Sequence, residues 1–161
     1  MEHINLKCLV TGGAGFIGSV LVDYLIEQKY QVIVIDNESA QQNEKFYWNS
    51  KASNYKYDIR DYNKIEQLFK GVDWVFHLAA QSRIQPSIIN PAETIQINCH
   101  GTENVLHASK KFNIKKLIYS SSSSIYGLKN KPPHKENMSR DCLNPYAISK
   151  VTSEDLCKMY N

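Results

Sequence analysis

No stretch of this 161-residue chain approaches the ~20 consecutive apolar residues that a membrane-spanning helix needs, so no membrane partner is expected. No charged-then-apolar leader precedes the first apolar run. The four cysteines, Cys8, Cys99, Cys142 and Cys157, form no C-x-x-C pair. That excludes the usual zinc and disulfide patterns, predicts no metal site, and suits reduced thiols in the cytoplasm. Charge of one sign is also scarce, since 19 basic and 16 acidic residues leave a net +3. Lys110, Lys111, Lys115 and Lys116 flank a predicted helix-to-strand turn, where cations suit a helix end; they read as a solvated cap, not a nucleic-acid patch. Asn137-Met138-Ser139 matches a glycosylation sequon, a chance match without a secretion signal. There is no internal repeat, and the five serines at 120–124 are the one biased run.

Glycine is sparse too, with seven in all, yet Gly12, Gly13, Gly15 and Gly18 crowd into one turn. The apolar run at 6–11 precedes them, and Val20, Leu21, Tyr24, Leu25 and Ile26 follow at helical spacing, so the order is strand, glycine turn, helix. Such a turn lets backbone approach a pyrophosphate closely and aims a helix N-terminus at its charge. Gly13, Gly15 and Gly18 fit G-x-G-x-x-G, while Gly12, Gly15 and Gly18 fit the wider G-x-x-G-x-x-G. Gln31-Val32-Ile33-Val34-Ile35-Asp36 reads as a second buried strand ending in an acid, ~20 residues downstream, where a carboxylate meets ribose hydroxyls. Asp36 repels a 2′-phosphate, which favours NAD over NADP.

Further along, the polar stretch at 37–53 reads as a loop with a short helix. A third strand then leads from Asn54 into Asp58, and a helix through Ile65, Leu68 and Phe69 closes at Gly71. A fourth strand spans 73–80, a long helix 91–112 opens on Pro91, and a fifth strand covers 116–120. Strands alternating with helices predict an α/β fold with a doubly wound parallel sheet, in which ligands sit at the carboxyl ends of strands.

Beyond the serine run, Tyr146 and Lys150 stand one helical turn apart after Asn144-Pro145. A phenol with a pKa near ~10 is a poor base, and a nearby ammonium favours the phenolate. Tyr47 and Lys51 share the spacing without that context. A serine at the end of the fifth strand can hydrogen-bond a reacting oxygen while the phenolate takes its proton and a hydride departs for a nicotinamide.

Together these residues resemble the extended short-chain dehydrogenase/reductase family, specifically its nucleotide-sugar epimerases and dehydratases. The resemblance covers nearly all of the chain and rests on residues 11–18, Asp36, Asp58-Ile59, His77-Leu78-Ala79-Ala80, Asn98 before Gly101-Thr102, the segment 120–127, and Tyr146-x-x-x-Lys150. It implies a Rossmann fold and assigns Ser122 as the catalytic Ser/Thr, Tyr146 as base, and Lys150 as the ligand of the nicotinamide ribose. It places Gly12, Gly15, Phe16, Ile17, Gly18, Asp36, Asn37, Asp58, Ile59, Leu78, Ala79 and Ala80 around NAD, with Asn98 in support. Ser122, Tyr146 and Ser87 would meet the substrate, a nucleotide-sugar of UDP type. His77 is expected to have no role in the chemistry. Arg83 lies slightly ahead of Gln85 and Pro86, where some relatives carry a substrate-binding Arg.

Sugar 4,6-dehydratases typically place an acid just after the catalytic Ser/Thr, whereas here Ser123 and Ser124 stand there. That favours a 4-epimerase of polysaccharide biosynthesis, working through a 4-keto sugar; a dehydratase, a reductase or an inactive NAD-binding fragment are the alternatives. Family members run longer, so residues 1–161 are expected to form an incomplete NAD-binding domain lacking the carboxyl-terminal substrate domain. Such a piece would bind NAD but turn over sugar poorly. The family's helix-bundle dimer implies a homodimer, with Leu106, Ile148, Leu156 and Met159 as candidate contacts.

Overall fold

A computed structural model describes residues 6–40 and 45–161, so part of the polar stretch at 37–53 lies outside the described residues. Strands β1 (Lys7–Thr11) and β2 (Gln31–Asp36) are almost wholly apolar because helices cover both faces of the sheet. Alternation splits their side chains between two cores. Cys8, Val10, Val32 and Val34 meet Val22 and Leu25 of α1 (Phe16–Glu27) on one face. Leu9, Ile33 and Ile35 point to the other face. There they meet Ile65 of α2 (Tyr62–Ile65), Phe69 of the 3₁₀ turn Glu66–Phe69, and Val105 and Ala108 of α5 (Gly101–Lys111). Phe69 is fully buried, and cutting it to Ala should cost about 3–5 kcal/mol.

The remaining strands are β3 (Ser53–Lys56), β4 (Trp74–His77) and β5 (Lys116–Tyr119). All five run parallel in the order β3-β2-β1-β4-β5, the doubly wound sheet expected. The chain builds outward from β1 to β3 and then returns to the other side of β1. The resulting switch point lies between the carboxyl ends of β1 and β4.

Several elements differ from expectation. Strand β4 ends at His77: the Leu78 N–H makes the last ladder bond, to the Thr11 carbonyl, and the Ala79 N–H turns aside to the Thr11 hydroxyl. The long helix opens at Pro91 under an Asn90 cap, but α4 (Pro91–Ile95) and α5 are joined by a π-helical turn, Gln96–His100. The Asn98 carbonyl there accepts from the Thr102 and Ser153 hydroxyls, which diverts it from the regular ladder. Helix α3 (Ile84–Ile89) and the 3₁₀ turn Ser123–Tyr126 were not anticipated, and no helix occurs among the described residues of 37–53. Helix α6 (Pro145–Tyr160) packs against α3, α4 and α5.

The lysine cap is more engaged than expected: Lys115 pairs with Asp73 at 2.7 Å, Lys111 pairs with Glu66, and Lys110 lies over the Tyr160 ring. Leu106 is buried inside the chain, so it cannot offer an interface; Ile148 and Met159 are exposed. All four cysteines are free, and no helix among the described residues is long and apolar enough to cross a membrane.

Candidate active site

At the switch point the glycine turn folds back on the loop after β4. Gly12 has φ +72°, and a Cβ there would lie 2.7 Å from the Ala79 nitrogen. A Cβ on Gly18 would drive into the Gly12 carbonyl, so α1 can sit this close to the turn only without a side chain. Gly13 instead packs toward Val34, away from the cleft, so the wider spacing of Gly12, Gly15 and Gly18 is the one that faces it. Gly15 caps α1 with no side-chain hydrogen bond and the first turn carries no acid, which leaves the N–H groups and the positive end of the helix open to an anion. Phe16 and Ile17 flank that end and are largely exposed.

The cleft that starts here has a volume of about 610 Å³. Asp36 lines it at the end of β2, its carboxylate accepting from Ala14 N–H at 3.1 Å and Glu38 N–H at 2.8 Å. Burial raises its pKa, and these backbone hydrogen bonds oppose the rise. Asn37 lies beside it and donates to Asp58 at 2.9 Å. Burial pushes the Asp58 carboxyl up, but hydrogen bonds from Arg60 and Asn37 win and hold it below its usual range. Ile59 completes this end of the wall, with Leu78, Ala79 and Ala80 across the switch point. The loop at 45–52 leans on the glycine turn through Tyr47 N–H to the Ala14 carbonyl, and Trp48 donates to Glu38 at 2.8 Å.

Beneath the cleft, His77 is locked between the Thr11 hydroxyl at 2.6 Å and the Thr102 hydroxyl at 2.8 Å. Burial lowers its pKa to about 3, so it stays neutral and serves as a brace between strands.

The cleft ends on Tyr146 and Lys150. Asn144 caps α6 by accepting from Ala147 N–H at 2.8 Å, and Pro145 occupies the first helical position. Lys150, one turn beyond Tyr146, is 3% exposed, and burial lowers its pKa to about 8. Its ammonium sits 4.4 Å from the centre of the Tyr119 ring.

Three expected residues do not line this cleft. Ser87 is fully buried; its hydroxyl donates to the Ile84 carbonyl at 2.6 Å and accepts from the Tyr146 N–H at 3.1 Å. It therefore holds the start of α6 from α3 and is not on the cleft wall, where the expectation from sequence would have it. Asn98 is buried against the loop after β4, exchanging hydrogen bonds with the Gln81 backbone and donating to Ser149. The Ser122 hydroxyl is shared with Ser124, and within the serine run it is Ser120 and Ser121 that lie on the lining. Sequence reasoning also missed Tyr57, Ser82 and Ile97 on the wall, and Arg83, noted from sequence only as lying ahead of the relatives' arginine position, is there too. Arg83 had a signal, a cation beside the strand-end loop; a lone Ile97 in a helix has none.

Residues 8–161 match the family described as NAD dependent epimerase/dehydratase. The chain belongs to that family. A putative UDP-glucose 4-epimerase from Methanocaldococcus jannaschii is 43% identical over 155 residues, covering 95% of this chain and 50% of the relative. Among solved structures, UDP-glucose 4-epimerase from Thermotoga maritima, crystallised with UDP-glucose, superposes with TM-score 0.90 at 38% identity, covering 96% of this chain and 51% of that one. A dTDP-glucose 4,6-dehydratase from Streptomyces venezuelae, with NAD bound, gives 0.86 at 27%, covering 96% and 51%. The chain spans about half the length of the relatives it matches.

The residues present fit the family's cofactor on structural grounds. The glycine cradle would be filled by a single Cβ, the uncapped helix end suits a pyrophosphate, and a carboxylate stands at the end of β2.

Proposed function

We propose that this member of the epimerase/dehydratase family binds NAD along the cleft and forms the cofactor-binding portion of a nucleotide-sugar 4-epimerase with a UDP-linked substrate. One observation carries the reading: a single cleft runs from the glycine cradle and Asp36 to Tyr146 and Lys150. A binding module would need only the first end. The names of the relatives support the substrate class, and Ser123 and Ser124 in place of acids favour epimerisation over dehydration.

When bound, NAD supplies a reversible acceptor for the hydride of sugar C4. Asp36 orients the adenosine ribose, and its negative charge repels a 2′-phosphate. Lys150 binds the nicotinamide ribose and places a positive charge near Tyr146, which favours the phenolate. The Tyr146 oxygen takes the proton of the sugar 4-hydroxyl and returns it after the 4-keto sugar has turned over. Ser122, once released from Ser124, hydrogen-bonds that same oxygen. Exposed Ile148 and Met159 on α6 support a homodimer built on this helix, to be checked by sedimentation.

Titration calorimetry with NAD, followed by proton NMR of UDP-glucose incubated with the loaded protein, tests the reading. NAD uptake and a weak, slowly growing UDP-galactose signal are expected. A 4-keto-6-deoxy sugar would reassign the chain to the dehydratases, and no NAD uptake would sink the cofactor site altogether.

A further inference from the structure

Lys150 presents an electrostatic problem that the chemistry above does not solve. Its ammonium is buried, yet no carboxylate among the described residues is paired with it. Glu154, one turn further along α6, is already taken by the Ser121 hydroxyl at 2.5 Å and by Arg140 at 3.0 Å. The other titratable groups near it are the thiols of Cys157 and Cys99, and what the ammonium meets directly is the face of Tyr119, the last residue of β5, at 4.4 Å from the ring centre. A cation that close to an aromatic face is held by the ring's quadrupole, more strongly where water is excluded.

The ring is itself fixed. It packs on His77 at 5.6 Å between ring centres, and His77 is pinned by Thr11 and Thr102. The Tyr119 hydroxyl is buried with no hydrogen-bond partner among the described residues, so the site uses the face of the ring and not its oxygen. Thr11 also receives the Ala79 N–H of the cleft loop, so one layer of side chains connects α6, β5, β4 and β1 under the cleft.

We propose that Tyr119 is a positioning residue for Lys150, whose ring face seats the buried ammonium and keeps it charged and aimed into the cleft. This rests on the reading of Lys150 as a cofactor ligand, and it adds a residue that touches neither cofactor nor substrate.

The test is NMR titration of the protein with isotope-labelled lysine, the Lys150 signal being assigned with Lys150→Arg. Tyr119→Phe, which keeps the face, should leave the Lys150 midpoint unchanged. Tyr119→Leu should lower it by about half a pH unit to about one and a half units and weaken NAD binding by about twofold to about thirtyfold. A series of ring-fluorinated phenylalanines at position 119 keeps the shape and weakens the quadrupole, so the midpoint should fall with each added fluorine. That series decides the matter if Tyr119→Leu does not fold. A Lys150 midpoint unmoved across the fluorinated series overturns the proposal. If the unaltered protein takes up no NAD, the functional reading fails, while the lysine titration still decides the role of Tyr119.

Discussion

Single residues set the chemistry here through what surrounds them. Lys150 shows it through linkage. Burial lowers its folded pKa from the usual 10.5 to about 8, so between those values the unfolded chain binds more protons than the folded one. Stability from this group therefore rises with pH across that window, and the cost of its buried charge is fully present below about 8. Lys150→Met should be more stable than the unaltered protein near neutrality, with the gap closing between about pH 8 and 10.5. Chemical denaturation of both proteins at a series of pH values measures it, and a gap constant with pH refutes it. Gly18→Ala is expected to act differently, forcing the start of α1 off the Gly12 carbonyl and removing NAD binding in calorimetry. The sequence made both positions legible, because a glycine turn after a strand and a Tyr-Lys pair after Asn-Pro leave few alternatives. It made Ser87 look like a ligand-facing residue, because nothing in a linear pattern distinguishes a serine facing solvent from one donating inward to Ile84.

Elements matter by how their ends are tied. The start of α6 is secured twice, by its own Asn144 and by Ser87 from α3, and these two side chains satisfy the N–H groups of Ala147 and Tyr146. Removing either should cost about 1 kcal/mol, the usual worth of a helix cap. Thermal unfolding of Asn144→Ala and Ser87→Ala should show comparable losses. Only Ser87→Ala, which frees the backbone of Tyr146 itself, should depress turnover beyond what lost stability explains, with Ser87→Thr restoring it. Elements with strong periodicity were legible: β1, β2, α1 and α6 fall where patterning puts them. Those set by tertiary contacts were not. The π turn exists because Thr102 and Ser153 claim one carbonyl, and α3 tolerates Pro86 because the first turn of a helix has no use for that N–H.

At the scale of the molecule, the doubly wound sheet brings two ends of one cleft together from positions 12 and 150, which no local pattern could show; only the alternation of strands and helices implied it. Binding that spans the cleft should stabilise the whole sheet. NAD at a hundred times its dissociation constant would add about 2.7 kcal/mol, readable as a rise in Tm that Gly18→Ala abolishes. The loop at 45–52 gives the molecule one more property. It carries one of only two tryptophans, Trp48, bonded to Glu38 just past Asp36, while the other, Trp74, packs on Tyr30 within the sheet. The Asp36 end of the cleft thus comes with its own fluorophore: occupancy there should change emission from Trp48, a Trp74→Phe protein should keep that response, and the chain can report its ligand without a label.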